Sequence, residues 1–117
     1  MQYLLLIYAN EAQAAARDPA ATKAMMNEYV EFTKGIIQAG HFKAGDRLKG
    51  TSSASTVRVR DGRTAITDGP FAETREQLGG YYLIDAKNLD EATAIAARIP
   101  DAKIGCIEVR PVWPAMG

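Results

Sequence analysis

The segment Asp68-Gly69-Pro70-Phe71 contains the side chain with the clearest capacity for acid/base chemistry. Asp68 could act as a general base if it lay at the end of a strand and faced an apolar pocket, because desolvation makes a carboxylate a stronger base. An aspartate beside Gly-Pro is also ordinary turn chemistry, in which the side-chain oxygen shapes the backbone. The two roles are compatible, and the sequence leaves both open.

The residues after this segment could contact a ligand. Glu73 and Arg75 belong to a short charged run, which is either a solvated loop or a mobile rim in which Arg75 clamps an anion. Phe71 and Tyr82 are candidate aromatic contacts to the same ligand, and the alternative for both is packing in a core or an interface.

His41 is the only histidine and follows Gly40 at the predicted end of a helix. The helix dipole would stabilise a cation there, but imidazole is also the side chain that exchanges a proton near neutral pH, so His41 is a second acid/base candidate. No His or Cys lies near it in sequence, so no metal site is predicted, although folding could bring carboxylates to it. Cys106 is expected to be a small buried hydrophobe. Because the chain lacks a phosphate-binding loop and a dinucleotide fingerprint, no cofactor is predicted.

The composition predicts a single domain over residues 1–117. Lys plus Arg and Asp plus Glu are 14 each, for a net charge of +0, and 47% of the residues are hydrophobic. This balance counts against a nucleic-acid-binding protein with a broad basic surface. The apolar run 1–8 is far shorter than the roughly 20 residues of a membrane span and has no basic residue before it, so no membrane association is expected. With one cysteine, the cytoplasm is the expected location.

Local patterns predict the elements that position these candidates. Apolar residues from Met25 and Met26 to Ile36 and Ile37 recur at helical spacing, which predicts an amphipathic helix over 19–39. Asp61-Gly62 between alternating segments predicts a hairpin over 56–67. A second helix is predicted to begin after Asn88 and to stop before Pro100. The remaining predictions are strands at 3–8, 80–85 and 104–110, a short helix or loop at 10–17, and irregular chain at 41–55 with a short extended piece near 46–49.

This order predicts an α+β sandwich of ferredoxin-like type, with two helices on one face of a mainly antiparallel sheet. Tyr81 and Leu83 alternate with Tyr82 and Ile84, so both faces of their strand are apolar or aromatic. Two helices cover only one face, and a second copy of the chain is the simplest cover for the other.

Four segments resemble the YCII-related family in its DGPF subgroup: TDGPFAETRE at 67–76, LGGYY at 78–82, IEVRP at 107–111 and the opening YLLLIY. They span nearly the whole chain in the expected order, with Arg75 where the subgroup usually has Lys. The resemblance implies a dimeric α+β barrel. It implies no settled activity: the fold is similar to that of small isomerases and monooxygenases, and DGPF members are often encoded beside extracytoplasmic-function sigma factors. Other branches are discussed around a His–Asp pair, a role that is not transferred to His41.

The first functional hypothesis is a homodimeric, cofactor-free enzyme that moves a proton in a small polar molecule, as an isomerase or lyase does. Asp68 would be the base, with Arg75 and His41 as auxiliary groups. The alternative is a non-catalytic binding or regulatory dimer with a sigma factor as partner. A third hypothesis is a small-molecule sensor without chemistry.

Overall fold

A four-stranded antiparallel sheet with helices on one face forms the body of the protein, in a computed structural model that describes residues 1–114. The sheet order is β2-β5-β1-β6, which is the ferredoxin-like arrangement predicted from the sequence. A second, two-stranded sheet consists of β3 and β4. The strands are β1 Gln2–Ala9, β2 Phe42–Arg47, β3 Ser55–Arg60, β4 Arg63–Asp68, β5 Gln77–Asp85 and β6 Cys106–Pro111. The helices are α1 Glu11–Ala15, α2 Pro19–Gln38 and α3 Leu89–Ala96, with short 3₁₀ helices at Thr51–Ser53 and Pro100–Lys103.

The long helix α2 begins and ends where the sequence predicts. The Asp18 carboxylate accepts a hydrogen bond from the backbone N–H of Ala21 at 2.8 Å, and Pro19 occupies the first turn. Gly40 follows the last turn with φ of +80°, a conformation that favours glycine. The second predicted helix, α3, is capped in the same way, because Asn88 Oδ1 accepts from the N–H of Glu91 at 2.9 Å.

The core lies between the sheet and the helices, where Leu5 and Ile84 of the sheet meet Ile36 of α2. The buried stripe of α2 is narrower than predicted. Met26 and Ile37 are 52% and 53% exposed, because they lie about 100° around the helix from the buried row that contains Ile36.

Strand β2 was not predicted over its observed range. The sequence predicts irregular chain over 41–55 with only a short extended piece near 46–49, but Phe42–Arg47 pairs along β5 and forms one edge of the sheet. The segment has little apolar alternation and contains Gly45. A Cβ atom at Gly45 would lie 2.8 Å from Cδ1 of Tyr82, so the glycine is required by a close approach within the sheet.

The predicted hairpin forms, but it stands apart from the main sheet. Asp61 and Gly62 have φ of 53° and 74°, the two positive values of a type I′ turn. We call residues 55–68 the arm. Its root is closed by the N–H of Gly69, which donates to the carbonyl of Ala54 at 2.7 Å. The molecule measures 48 × 47 × 18 Å, so it is two layers thick and broad, and its radius of gyration of 16.3 Å exceeds the about 13 Å expected of a compact domain this long.

None of the helices within residues 1–114 is long and apolar enough to cross a membrane.

Candidate functional site

The sheet face opposite the helices, which we call the open face, is apolar in its centre. Along β1 and β5, buried residues alternate with half-buried ones, and the half-buried set points away from the helices. Cross-strand partners share a face, so the register defines two rows across all four strands. One row contains Asp46, Tyr81, Leu6 and Glu108. The other contains Ala44, Leu83, Leu4 and Arg110. Apolar and aromatic side chains fill the two inner strands, and charged groups lie on the two edge strands.

Tyr81 and Asp46 form a hydrogen-bonded pair on the open face. The Tyr81 hydroxyl donates to Asp46 Oδ2 at 2.6 Å, and this bond together with the Asp46 charge raises the pKa of the phenol. The pair stands at the edge of the apolar centre, where it could hold a polar ligand group by hydrogen bonding.

Cys106 is exposed and not buried as the sequence predicted. It begins the edge strand β6, two residues before Glu108, so it lies on the open face, which the helices do not cover. Its Sγ lies 3.7 Å from Glu76 Oε1, and partial desolvation, the Glu76 charge and this contact raise the pKa of the thiol. The thiol therefore stays protonated at neutral pH and is a poor nucleophile.

Four of the predicted site residues lie at one end of the sheet, the end where β5 begins. Asp68 is exposed at the root of the arm, opposite Ser55. Phe71, Glu73 and Arg75 follow in the loop 69–76 and are all exposed, Phe71 by 81%. We call this region the arm-root end.

Helix α1 fixes the arm-root end through contacts that sequence reasoning missed. Glu11 accepts from the N–H of Thr51 at 2.8 Å and from its hydroxyl at 2.7 Å, and the Glu11 N–H donates to Gln77 Oε1 at 2.9 Å. Asn10 Nδ2 donates to the carbonyl of Arg75 at 3.2 Å. These contacts join residues that are 40 to 66 positions apart in the chain. The sequence near α1 offers only an alanine-rich stretch, which does not indicate that Glu11 binds the distant Thr51.

His41 lies at the opposite end of the sheet. Its Nδ1 donates to the carbonyl of Asp85, the last residue of β5, at 2.8 Å and lies 4.0 Å from Glu91 Oε1. Strand β5 has 9 residues and therefore spans about 27 Å. One chain does not bring His41 together with Arg75, which precedes the start of that strand.

Tyr82 lies in the core and faces the helices. It is 8% exposed, and its ring packs edge-on against Phe32 and Phe42 at centroid distances of 5.3 and 6.4 Å. Its hydroxyl is 2.7 Å from Thr33 Oγ1, and burial raises the pKa of the phenol. The structure thus separates Tyr82 from the residues at the arm-root end.

The predicted site residues do not line the groove of about 500 Å³ on the helix layer. That groove is lined by Ala24, Asn27, Glu28, Glu31, Phe32 and Arg98. Across residues 1–114, no cluster of three or more His, Cys, Asp or Glu side chains is placed to hold a metal ion.

Comparison with known proteins agrees with the sequence resemblance. The model of the YCII-related domain family matches residues 1–116. The chain belongs to the YCII-related family. An uncharacterised protein of Rhizobium meliloti (strain 1021) is 38% identical over 114 residues, which cover 96% of this chain and 92% of that protein. In this YCII-related protein, the TDGPFAETRE segment builds the end of the arm and the loop at the arm-root end.

Proposed function

We propose that this YCII-related protein is a homodimer in which the open faces of two sheets pack against each other. In this proposal the arm-root end of the interface binds a small anionic molecule, on which Asp68 acts as a general base. The observation that supports it most is the apolar centre of the open face, where Leu4, Leu6 and Leu83 lie on the side opposite the helices and are only half-buried. Each square ångström of apolar surface removed from water is worth about 25 cal/mol.

The distribution of charge on the open face also supports a dimer. Asp46 lies on one edge strand, and Glu108 and Arg110 lie on the other. Packing two such faces would bury the apolar centre and leave these charges at the rim, which is the usual anatomy of a protein interface.

The proposed chemistry uses two groups at the arm-root end. The Arg75 guanidinium is exposed and takes part in none of the ion pairs found within residues 1–114, so it is free to bind a carboxylate of the substrate. Asp68 removes a proton from the carbon next to a carbonyl, and the electron pair of the broken C–H bond moves onto the carbonyl oxygen. In a substrate with a C=C bond conjugated to this enolate, the carbonyl re-forms as the pair moves back through the C=C bond, and return of the proton to its far carbon completes an isomerisation, with no electron acceptor required.

Sedimentation equilibrium tests the dimer. We expect the wild-type protein to have twice the 12.7 kDa mass of the chain at micromolar concentration. Leu6→Asp adds a charge to the centre of the open face and should give a monomer. The control is Leu89→Asp, at an exposed leucine that begins α3, where an acidic residue is favourable. A monomeric wild type, or a dimeric Leu6→Asp variant, would contradict the proposal.

Deuterium exchange tests the role of Asp68. With 2-oxobutanoate in D₂O, we expect the protein to accelerate loss of the C3 proton signal in NMR spectra. Asp68→Asn should reduce this rate by about 10² or more, the usual contribution of a general base. Asp61→Asn, the same change at the turn of the arm, should have no effect. Equal rates for wild type and Asp68→Asn, or no acceleration by the wild type, would argue against the base.

A second candidate function is a non-catalytic dimer that binds an acidic protein, for which the sigma factor is the partner suggested by the family. It is favoured by Arg58, Arg60 and Arg63, which lie on one face of the arm, with Arg60 directly opposite Arg63. Like charges placed opposite one another destabilise a ribbon unless an anion neutralises them. Copurification with a sigma factor that is lost in Arg58→Glu and retained in Asp68→Asn would support this function.

A further inference from the structure

The arm has two chemically different faces. Val57 and Val59 of β3 share one face with Ile66 of β4, because Val57 is directly opposite Ile66 and side chains alternate along a strand. These three residues are 59%, 58% and 69% exposed. The other face carries the three arginines described above. Water solvates the arginine face, whereas exposure of the apolar face to water is unfavourable.

The arm has little support from the chain itself. Every residue of β4 is exposed, and in β3 only Thr56 is half-buried. The contacts that hold its root are the Gly69–Ala54 backbone bond and the Thr56 hydroxyl, which donates to the carbonyl of Gly69 at 2.8 Å. An isolated two-stranded hairpin is at best marginally stable in water. The arm therefore needs a further packing contact to be stable, and its three β-branched apolar residues offer a surface for one.

Resting on the homodimer proposed above, we propose that the apolar face of each arm packs on the second copy and that this contact completes the site around Asp68. Asp68 is two residues from Ile66 and directly opposite Ser55, so its side chain lies on the apolar face of the arm, at the root. Covering that face removes water from one side of the carboxylate. A carboxylate in such surroundings is a stronger base than one in bulk water.

The area that a stable dimer buries indicates that a second copy of the chain covers the apolar face of the arm. Four strands spaced about 4.8 Å apart and about 20 Å long give the open face a footprint of only about 400 Å². A standard interface buries about 800 Å² on each partner. One face of the arm covers about 200 Å², from 6 residues per strand and two strand widths. In a two-fold dimer each copy extends one arm and receives the other. Each copy therefore buries about 200 Å² on its own arm and about 200 Å² beneath the arm that it receives, which together with the open face gives about 800 Å².

The shape of the molecule also fits this arrangement. The protein is 48 × 47 Å broad and only 18 Å thick, so the arm extends beside the body, within the same two layers, and not across toward a facing sheet. Its length of about 20 Å therefore enlarges the surface that a second copy can cover.

A matched pair of double variants tests the proposal. Val57→Thr with Ile66→Thr removes apolar groups from one cross-strand pair and keeps β-branched residues in the ribbon. Ala65→Thr with Thr67→Val makes the same number of changes on the opposite face of the arm and also leaves a β-branched residue at each position. The dimer dissociation constant is measured by sedimentation. Hydrogen exchange is followed at the arm amides, with the β1 and β5 amides reporting whether the body is folded.

We expect the Val57/Ile66 variant to dimerise at least about ten-fold more weakly, with faster exchange in the arm and unchanged exchange in the body. Its rate of 2-oxobutanoate exchange should fall even at concentrations where it is dimeric, and the Ala65/Thr67 variant should match wild type in all three measurements. If the wild type is dimeric but its arm amides exchange as fast as those of monomeric Leu6→Asp, or both double variants dimerise like wild type, the arm proposal is wrong and the homodimer stands. A monomeric wild type overturns both.

Discussion

Glu11→Ala removes the carboxylate that joins α1 to the chain leading into the arm. In the wild type, the two oxygens of Glu11 accept from the backbone N–H and the hydroxyl of Thr51 at 2.8 and 2.7 Å. Glu11 is half-buried, so water replaces these bonds only in part. The substitution keeps the helix propensity of the position, because alanine is the best helix former.

The expected loss follows from the two bonds. A hydrogen bond to a charged group contributes roughly 1.5–3 kcal/mol to stability. Both bonds to Glu11 come from one residue, Thr51, and the pair is partly exposed to water, so we take about 2 kcal/mol for the two bonds together. With an unfolding entropy of about 2.1 cal/mol/K per residue, a domain of 117 residues has about 0.25 kcal/mol/K. Dividing the two gives a fall in Tm of about 8 °C.

Differential scanning calorimetry measures this change, with Glu31→Ala as the control. Glu31 lies on α2, its side chain is 76% exposed, and its nearest cation is Lys34 Nζ at 3.7 Å. An exposed pair of this kind contributes under about 0.5 kcal/mol, so the control Tm should fall by less than about 2 °C. If Glu11→Ala and Glu31→Ala lower the Tm equally, Glu11 does not fix the arm-root end.

Two other predictions concern packing and pH. Gly105→Ala should destabilise the protein by about 2 kcal/mol or more, because the new Cβ would lie 2.0 Å from the carbonyl oxygen of Tyr8, whereas Gly79→Ala, with no atom within 4 Å of the new Cβ, should unfold at close to the wild-type denaturant midpoint. The pKa of Tyr29 is raised above its ordinary 10.0 by burial and by its hydrogen bond to Asp101. The folded state therefore retains this proton as the unfolded state loses it, and the contribution of Tyr29 is complete below pH 10 and is lost as the pH rises above that value. Urea titrations from pH 9 to 12 should show the unfolding free energy falling in the wild type and falling less steeply in Tyr29→Phe; identical slopes would contradict the assignment.

Local chemistry made part of the fold predictable. The caps of α2 and the turn of the arm depend on residues adjacent in sequence, so Asp18, Gly40 and Asp61-Gly62 could be interpreted without tertiary information. The apolar character of both faces of β5 also followed from alternation, since side chains on a strand point to opposite sides.

The rest depended on contacts between distant residues. Strand β2 exists because β5 offers it backbone partners, and its own residues carry little strand signal. The same holds at the site: the sequence placed Asp68, Phe71, Glu73 and Arg75 near one another because they are neighbours in the chain, but it gave no sign of Glu11 and Gln77. Residue type alone makes Tyr82 a candidate ligand contact, and only the packing of Phe32 and Phe42 around it identifies it as a core tyrosine.

The closed root of the arm has a consequence for how such a protein can diverge. Ala54 and Gly69 are joined by a backbone hydrogen bond of 2.7 Å, so the chain leaves and re-enters the body at one point. Insertions, deletions or a change of sequence between these two residues alter the arm without breaking any pairing in the four-stranded sheet. Evolution can therefore vary the arm of this fold independently of its core, and related chains with the same body could differ most in the length and chemistry of this one segment.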